Sequence, residues 1–382
     1  RIIKDRKTKF ITAGVKLKES EWDELKQKVK KNHPNSARMN ASLAQKIADA
    51  EAQVADLERK VKTVSIKKLK EAIKGKEVPN FFDYAYKRME TIKSTVSYST
   101  YKAYYAAIVK FEKYMGTRDV YFYDFSVTLL NDYKNHLSIN LKNGLTTQRL
   151  SIIVLGTIFN QAIKEDVIPE TMFPFKKLTL KIDNAKRLFL NKDKIVGLVD
   201  LELPEGKKAA MWRDLFLFSI YAGGLRFSDV IEMQYKHYNK EEHKISKLIR
   251  KTGRTHQFKI GKVAIEILEK YMKEGANNND YIFPVIEDIT GYEKNDTMRY
   301  FLTAKYNKLA NWHLKKMGEK MKLSFPLSFH LSRHTFATNA LNNGMRIEHV
   351  SKLMDHTDIS TTQIYAKIIS EELDKAVDSY IF

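Results

Sequence analysis

Four consecutive segments between residues 80 and about 178 carry apolar residues at helical spacing, and Pro169 and Pro174 close the run. The first is centred on Phe81 to Thr95. The second, Ser99 to Met115, carries Tyr101, Tyr104, Tyr105, Ile108 and Phe111. The third spans Val127 to Leu137, and the fourth Thr146 to Lys164. Residues three and four apart share one helix face. On that count Leu150, Val154, Ile158 and Ile163 are expected to form the inner face of the fourth helix. A block with this pattern folds as a small helical bundle. Its tyrosines are expected in the core, and Lys102, Lys110 and Lys113 on a phosphate-facing side.

The flanking sequence reads differently. Short β-prone runs surround Asp5-Arg6-Lys7 and predict a small basic sheet. Glu19 to Val29 reads as a helix with Trp22 and Leu25 on one face. Ala41 to Lys74 reads as a long helix, with Leu43, Ile47, Ala50, Val54 and Leu57 in register. Gly75-Lys76-Glu77-Val78-Pro79 ends it and makes a plausible linker. Phe175 to Arg187 holds five basic residues, Lys176, Lys177, Lys181, Lys186 and Arg187. Such a connector suits a chain draped over phosphate as well as it suits an ordinary surface linker. Beyond residue 188 helices are mixed with a hairpin signal. Lys244 to Arg250 and Thr255 to Ile260 flank the turn Lys251-Thr252-Gly253-Arg254. The expected fold is therefore an α-rich, multi-domain chain in three parts. Residues 1–75 form an N-terminal piece with its long helix, 76–178 a helical bundle, and 179–382 a mixed α/β domain with a small antiparallel sheet.

Composition narrows the function. The 382 residues include 67 Lys and Arg against 46 Asp and Glu, a formal charge of +21. A field of that sign attracts polyanions, nucleic acid first and anionic membrane second. The absence of cysteine excludes disulfides, thiol catalysis and Cys-ligated zinc. No apolar run reaches the length of about 20 residues that spans a bilayer, and no secretion signal is visible. A chain opening on Arg1 is expected to lack its native N-terminus.

Four segments of the second half carry the chemistry. They are Tyr221-Ala222-Gly223-Gly224-Leu225-Arg226-Phe227-Ser228-Asp229, the tip Lys251-Thr252-Gly253, His330-Leu331-Ser332-Arg333-His334-Thr335-Phe336, and Leu353-Met354-Asp355-His356 with Tyr365 nine residues on. Breaking a phosphodiester requires stabilising a phosphorane whose non-bridging oxygens are negative. Guanidinium groups suit this because they donate paired hydrogen bonds and stay charged. In order and spacing these segments resemble the tyrosine recombinases, the phage integrase family. The resemblance is strong over the last 200 residues or so. It extends to the bundle, as a core-DNA-binding domain, by position and character, and to the N-terminal piece as a truncated arm-binding domain.

The resemblance implies roles. Arg226 and Arg333 would clamp the phosphate, and Tyr365 would attack it. Lys251 would protonate the leaving oxygen. His330 would hydrogen-bond the phosphate or take the tyrosine proton, and His356 would steady a non-bridging oxygen. Asp229 would buttress the site, and Arg254 would join Lys176, Lys177, Lys181, Lys186 and Arg187 in DNA binding. His334 is expected to be a packing histidine. No metal or cofactor is called for.

The partner would be double-stranded DNA, gripped in a C-shaped clamp by a homotetramer in the bacterial cytoplasm, associated with the nucleoid. The tail 366–382, ending Tyr380-Ile381-Phe382, would pack on a neighbouring protomer or on its own domain. The N-terminal piece favours an integrase of a bacterial mobile element. Two departures stand out: Asp355 where many members have glycine, and Ser332 where leucine is frequent. Three other readings remain: a non-cutting DNA-binding protein, a type IB topoisomerase-like relaxase working alone, and a membrane-surface protein. Cleavage, supercoil-relaxation and lipid-sedimentation assays separate them.

Overall fold

The computed structural model describes residues 2–4, 7–9, 13–60, 79–181, 188–203 and 207–366. The chain divides into two compact units, Arg1–Asp183 and Asn184–Phe382.

The first unit opens with an antiparallel pair, β1 (Ile2–Lys4) and β2 (Lys7–Lys9), as the basic-sheet reading predicts. The helix expected over Glu19–Val29 does not form. A 3-10 turn at Glu19–Glu21 leads instead into β3 (Trp22–Asp23), which pairs with β4 (Lys28–Val29). Local hydrogen bonding decides the difference. Asp23 Oδ1 accepts from Lys26 N–H at 3.0 Å, and Gln27 takes a left-handed φ of 50°, so the chain turns back on itself. Leu25, expected on an apolar face, is 98% exposed at the tip. Asn40 on α1 (Ser36–Lys60) then closes the end of this ladder. It accepts from Val29 N–H and donates to Val29 O. The rest of the long helix read to Lys74, and its linker up to Val78, lie outside the described residues.

The bundle follows the sequence closely. Its helices are α2 (Phe81–Ile92), α3 (Tyr98–Met115), α4 (Val127–Ile139) and α5 (Leu145–Lys164). Asn80, Ser97 and Ser126 cap the first three by accepting backbone N–H groups. Phe81, Phe82, Phe111, Phe122, Phe125 and Phe159 interlock edge-to-face in the core. Of the inner face expected for α5, Val154 and Ile158 are buried and Ile163 packs against the core, but Leu150 is not part of it. Leu150 is 43% exposed, while Ile152, Val154, Leu155, Ile158 and Phe159 are buried. Of the tyrosines expected in the core, Tyr101 and Tyr104 are half-buried and pack against it, and Tyr105 does not. Tyr98, Tyr101 and Tyr105 stack as a ladder at the surface, with Tyr105 exposed.

The second unit packs around α7 (Lys207–Tyr221), preceded by the short α6 (Lys192–Val199). Leu215, Phe216 and Phe218 of α7 are buried in a core shared with Phe283, Leu314 and Phe329. A three-stranded antiparallel sheet, β5 (Tyr238–Asn239), β6 (Lys244–Ile249) and β7 (Arg254–Lys259), flanks it in that order. Residues alternate across the hairpin, so Ile245, Lys247 and Ile249 face inward. The remaining helices are α8 (Phe227–Ile231), placed before the sheet, and α9 (Lys262–Tyr271), α10 (Ile289–Lys294), α11 (Asp296–Lys320), α12 (His330–Asn342), α13 (Ile347–Leu353) and α14 (Ser360–Ala366) after it. Among the described residues no helix is long and apolar enough to cross a membrane.

Candidate active site

Arg226 is delivered by a turn that only glycines build without strain. Gly223 and Gly224 adopt φ of 73° and 70° in succession. A Cβ on Gly224 would stand 2.9 Å from the Phe336 ring, so the turn sits flush against α12. Arg226 then starts α8. Its guanidinium lies 3.8 Å from Asp229 Oδ2 and 3.5 Å from Asp355 Oδ2.

Arg333, on the first turn of α12, is buried. Its guanidinium donates to Gly224 O at 2.6 Å and to Met354 O, tying the glycine turn to the turn after α13. Ser332 beside it is also buried. Its hydroxyl meets Ser219 Oγ at 2.6 Å, while Ser219 donates to Leu225 O at 2.7 Å. This pair joins α7, α12 and the Arg226 turn, which leucine at position 332 could not do. Arg226, His330 and Arg333 line one recess of about 130 Å³, floored by Leu225 and Phe329 and flanked by Asn307 and Asn311. A larger cavity of about 710 Å³, bounded by Met211, Trp212, Val285 and Leu309, holds none of the candidate residues.

Lys251 occupies the hairpin tip, as read from sequence. Thr252 N–H and Gly253 N–H both donate to Ile249 O and close the turn. The β6 side of the hairpin, up to the residue before Lys251, is held by a group the sequence reading missed. Buried Glu232 accepts from Tyr292 OH at 2.7 Å and Arg250 Nε at 3.1 Å, with Lys247 Nζ at 3.5 Å. A lysine at an inward-facing strand position was the available signal. Burial, then the charges of Arg226 and Arg333, push Lys251 below the ordinary lysine range. A lysine so placed gives up its proton more readily.

Like charge is concentrated here. Burial and then Arg226 bring Arg333 down to about 10, while Tyr365, Asp229 and Asp355 oppose the shift. Burial raises the Asp229 carboxyl despite Arg226 and Lys247, and among the described residues nothing donates a hydrogen bond to its Oδ2. An anion entering the recess relieves the repulsion among these cations.

Tyr365 on α14 is buried against Ala337, Leu341, Val350 and Met354. Its hydroxyl lies 2.8 Å from His334 Nδ1. The expectation of a packing histidine is therefore corrected: His334 is the hydrogen-bond partner of the phenol. Helical geometry puts it one turn from His330, and the two rings meet edge-to-face at 4.5 Å. The spacing was visible in sequence. That Tyr365 would fold back onto this turn was not.

His356 Nδ1 lies 2.8 Å from Thr362 Oγ1. Burial, then Arg333 and Arg226, push it down to about 4, so the imidazole is neutral at pH 7. His237, at the foot of the sheet, is pushed down to about 4 by burial and nearby lysines. A histidine depressed in the folded state takes up its proton first in the unfolded chain. Stability is thus greatest above about pH 6.5 and falls as pH drops towards 4. Melting temperature should fall between pH 7 and pH 5, and His356→Gln should reduce that fall. An unchanged pH dependence in the variant would contradict the assignment.

Of the expected DNA contacts, Lys176, Lys177 and Lys181 are solvent-facing in the first unit, Lys176 paired with Glu170 at 2.6 Å. Lys186, Arg187 and nearly all of the tail 366–382 lie outside the described residues. Arg254 belongs to the site itself, with Nη2 3.6 Å from Asp355 Oδ1. Among the described residues no group of three or more His, Asp and Glu side chains is placed to hold a metal ion.

The sequence matches the Phage integrase family over residues 188–372, the Phage integrase SAM-like domain over 80–179 and the Arm DNA-binding domain over 1–70. The chain belongs to the phage integrase family. It is a tyrosine recombinase, an enzyme of site-specific DNA cleavage and rejoining. The recombinase is 26% identical to tyrosine recombinase XerD of Staphylococcus aureus over 77% of this chain and 96% of that one. It is 28% identical to tyrosine recombinase XerA of Pyrococcus horikoshii over 62% of this chain and 75% of that one. Its fold is that of the Tn1549 transposon integrase in complex with transposon right-end DNA, with a TM-score of 0.60 and 16% identity over 80% of this chain and all of that one. A lambda integrase dimer bound to a core site matches with a TM-score of 0.56 and 15% identity over 74% of this chain and 94% of that one.

Proposed function

We propose that the recombinase exchanges strands through a 3′-phosphotyrosine at Tyr365, as the integrase of a bacterial mobile element. The observation that carries this reading is the convergence of Arg226, His330 and Arg333 on one recess, with the Tyr365 phenol bonded to His334 on the same helix as two of them.

The steps follow from the groups. The scissile phosphate enters the recess, its non-bridging oxygens taking hydrogen bonds from both guanidinium groups and from His330 and His356. Tyr365 rotates out of its packing and passes its phenolic proton to His334. The phenolate oxygen bonds to phosphorus as the bond to the 5′ oxygen breaks, and Lys251 protonates that oxygen. One phosphodiester is replaced by another, so rejoining needs no external energy source. The 5′-hydroxyl of a partner strand then attacks the phosphotyrosine, giving a Holliday junction that a second round resolves. Four protomers acting in pairs on two DNA sites would carry this out in the cytoplasm. The arm, bundle and catalytic parts, 1–75, 76–178 and 179–382, would each contact DNA, with Lys176, Lys177 and Lys181 on the backbone.

A duplex nicked beside the cleavage site loses its 5′ fragment after attack and traps the intermediate. Such a substrate should accumulate a protein–DNA adduct on the 3′ end with a free 5′-hydroxyl on the released piece. Binding without adduct would favour a DNA-binding protein with an idle site.

A further inference from the structure

We infer that Asp355 is a positioning residue for proton delivery: its carboxylate docks the tip of the β6–β7 hairpin, and with it Lys251, onto the phosphate clamp. This rests on the reading of Lys251 as the acid that protonates the leaving oxygen.

Asp355 gathers donors from two distant parts of the chain. Its Oδ2 accepts from Thr252 Oγ1 at 2.6 Å and stands 3.5 Å from Arg226 Nη1. Its Oδ1 stands 3.6 Å from Arg254 Nη2, and its backbone oxygen accepts from Arg226 Nη2 at 3.3 Å. Thr252 and Arg254 bracket the apex of the hairpin turn, and Lys251 directly precedes Thr252. The turn's own hydrogen bonds to Ile249 O set its shape but not its place against the clamp. The Glu232 cluster holds the β6 side of the turn, through Arg250 next to Lys251 and through Lys247 further down the strand. On the other side of Lys251 the Thr252–Asp355 bond seats the turn against the clamp. A lysine on a flexible four-carbon stem is useful as a proton donor only if its backbone origin is held.

The backbone at Asp355 sharpens the point. α13 ends with His356 N–H donating to Ser351 O and Asp355 in the left-handed region, φ 51°. Glycine occupies that position without steric cost. Aspartate does not, and the one thing it adds is a carboxylate directed at the hairpin. The carboxylate also repels an incoming phosphate. Removing it therefore cannot weaken DNA binding through charge, whereas it frees the hairpin tip. Binding and catalysis should separate.

Asp355→Gly suits the backbone and removes only the side chain. Thr252→Val removes the hairpin's donor without touching the clamp. The test compares these, their double variant and Lys251→Ala in single-turnover cleavage of a nicked duplex. The leaving 5′ atom is either oxygen or sulfur. A thiolate departs without a proton, so loss of the acid is masked on the sulfur substrate.

On the oxygen substrate Asp355→Gly and Thr252→Val should each cleave about 10- to 100-fold more slowly than the parent, with DNA affinity equal or higher. The double variant should be no slower than the worse single one. On the sulfur substrate all variants should return to within about threefold of the parent. If Lys251→Ala is rescued by sulfur and Asp355→Gly is not, Asp355 acts by another route and the inference fails while the lysine's role stands. If Asp355→Gly cleaves oxygen substrate as fast as the parent or faster, the docking contact is dispensable and the inference fails. If Lys251→Ala is not rescued, the lysine is not the acid, and the inference falls with that reading.

Discussion

Arg333→Ala should cleave at least about 10³-fold more slowly than the parent chain, because a buried guanidinium facing the phosphate carries charge that water cannot replace. The same substitution should lower the melting temperature of its unit by about 5–10 °C. Arg333 has two duties. It lines the recess with Arg226 and His330, and it hydrogen-bonds Gly224 O and Met354 O. Losing it leaves two backbone carbonyls without their donor where the glycine turn meets the turn after α13. Arg333→Lys separates the duties. A lysine keeps the charge but cannot fork to both carbonyls, so most of the stability loss should remain while part of the cleavage rate returns. Denaturation midpoints and single-turnover rates on the same preparations measure both. A variant cleaving within tenfold of the parent would remove Arg333 from the clamp.

Tyr365→Phe should bind DNA as the parent does and form no covalent adduct, a loss on the order of 10⁵-fold or more. The ring stays, so its packing against Leu341, Val350 and Met354 is retained. Only the hydroxyl bonded to His334 is lost, at a cost of about 1 kcal/mol. Stability therefore barely changes while chemistry stops. Residual cleavage at the same phosphate would show that another hydroxyl or water attacks.

What could be read from the sequence follows from how locally each feature is specified. Arg226, Lys251, His330, Arg333, His356 and Tyr365 could be singled out as candidates because each sits in a short motif whose order suits the chemistry. The bundle helices were found because their apolar spacing is local. Leu150 was misplaced because neighbouring positions on a 20-residue helix compete for the inner face, and Ile152, Leu155 and Phe159 take it. Glu19 to Val29 reads as helical from its spacing, but Asp23 accepts from Lys26 N–H and the chain turns. His334, Glu232 and the reach of Asp355 depend on contacts between residues 31, 60 and 103 positions apart, which no local pattern encodes.

Mass spectrometry of the trapped adduct, after digestion of protein and DNA, measures the claim on which the rest depends. The account predicts a single modified peptide containing Tyr365, with the phenolic oxygen joined to a nucleotide through its 3′-phosphate. An adduct on any other side chain, or a link through a 5′-phosphate, would contradict it.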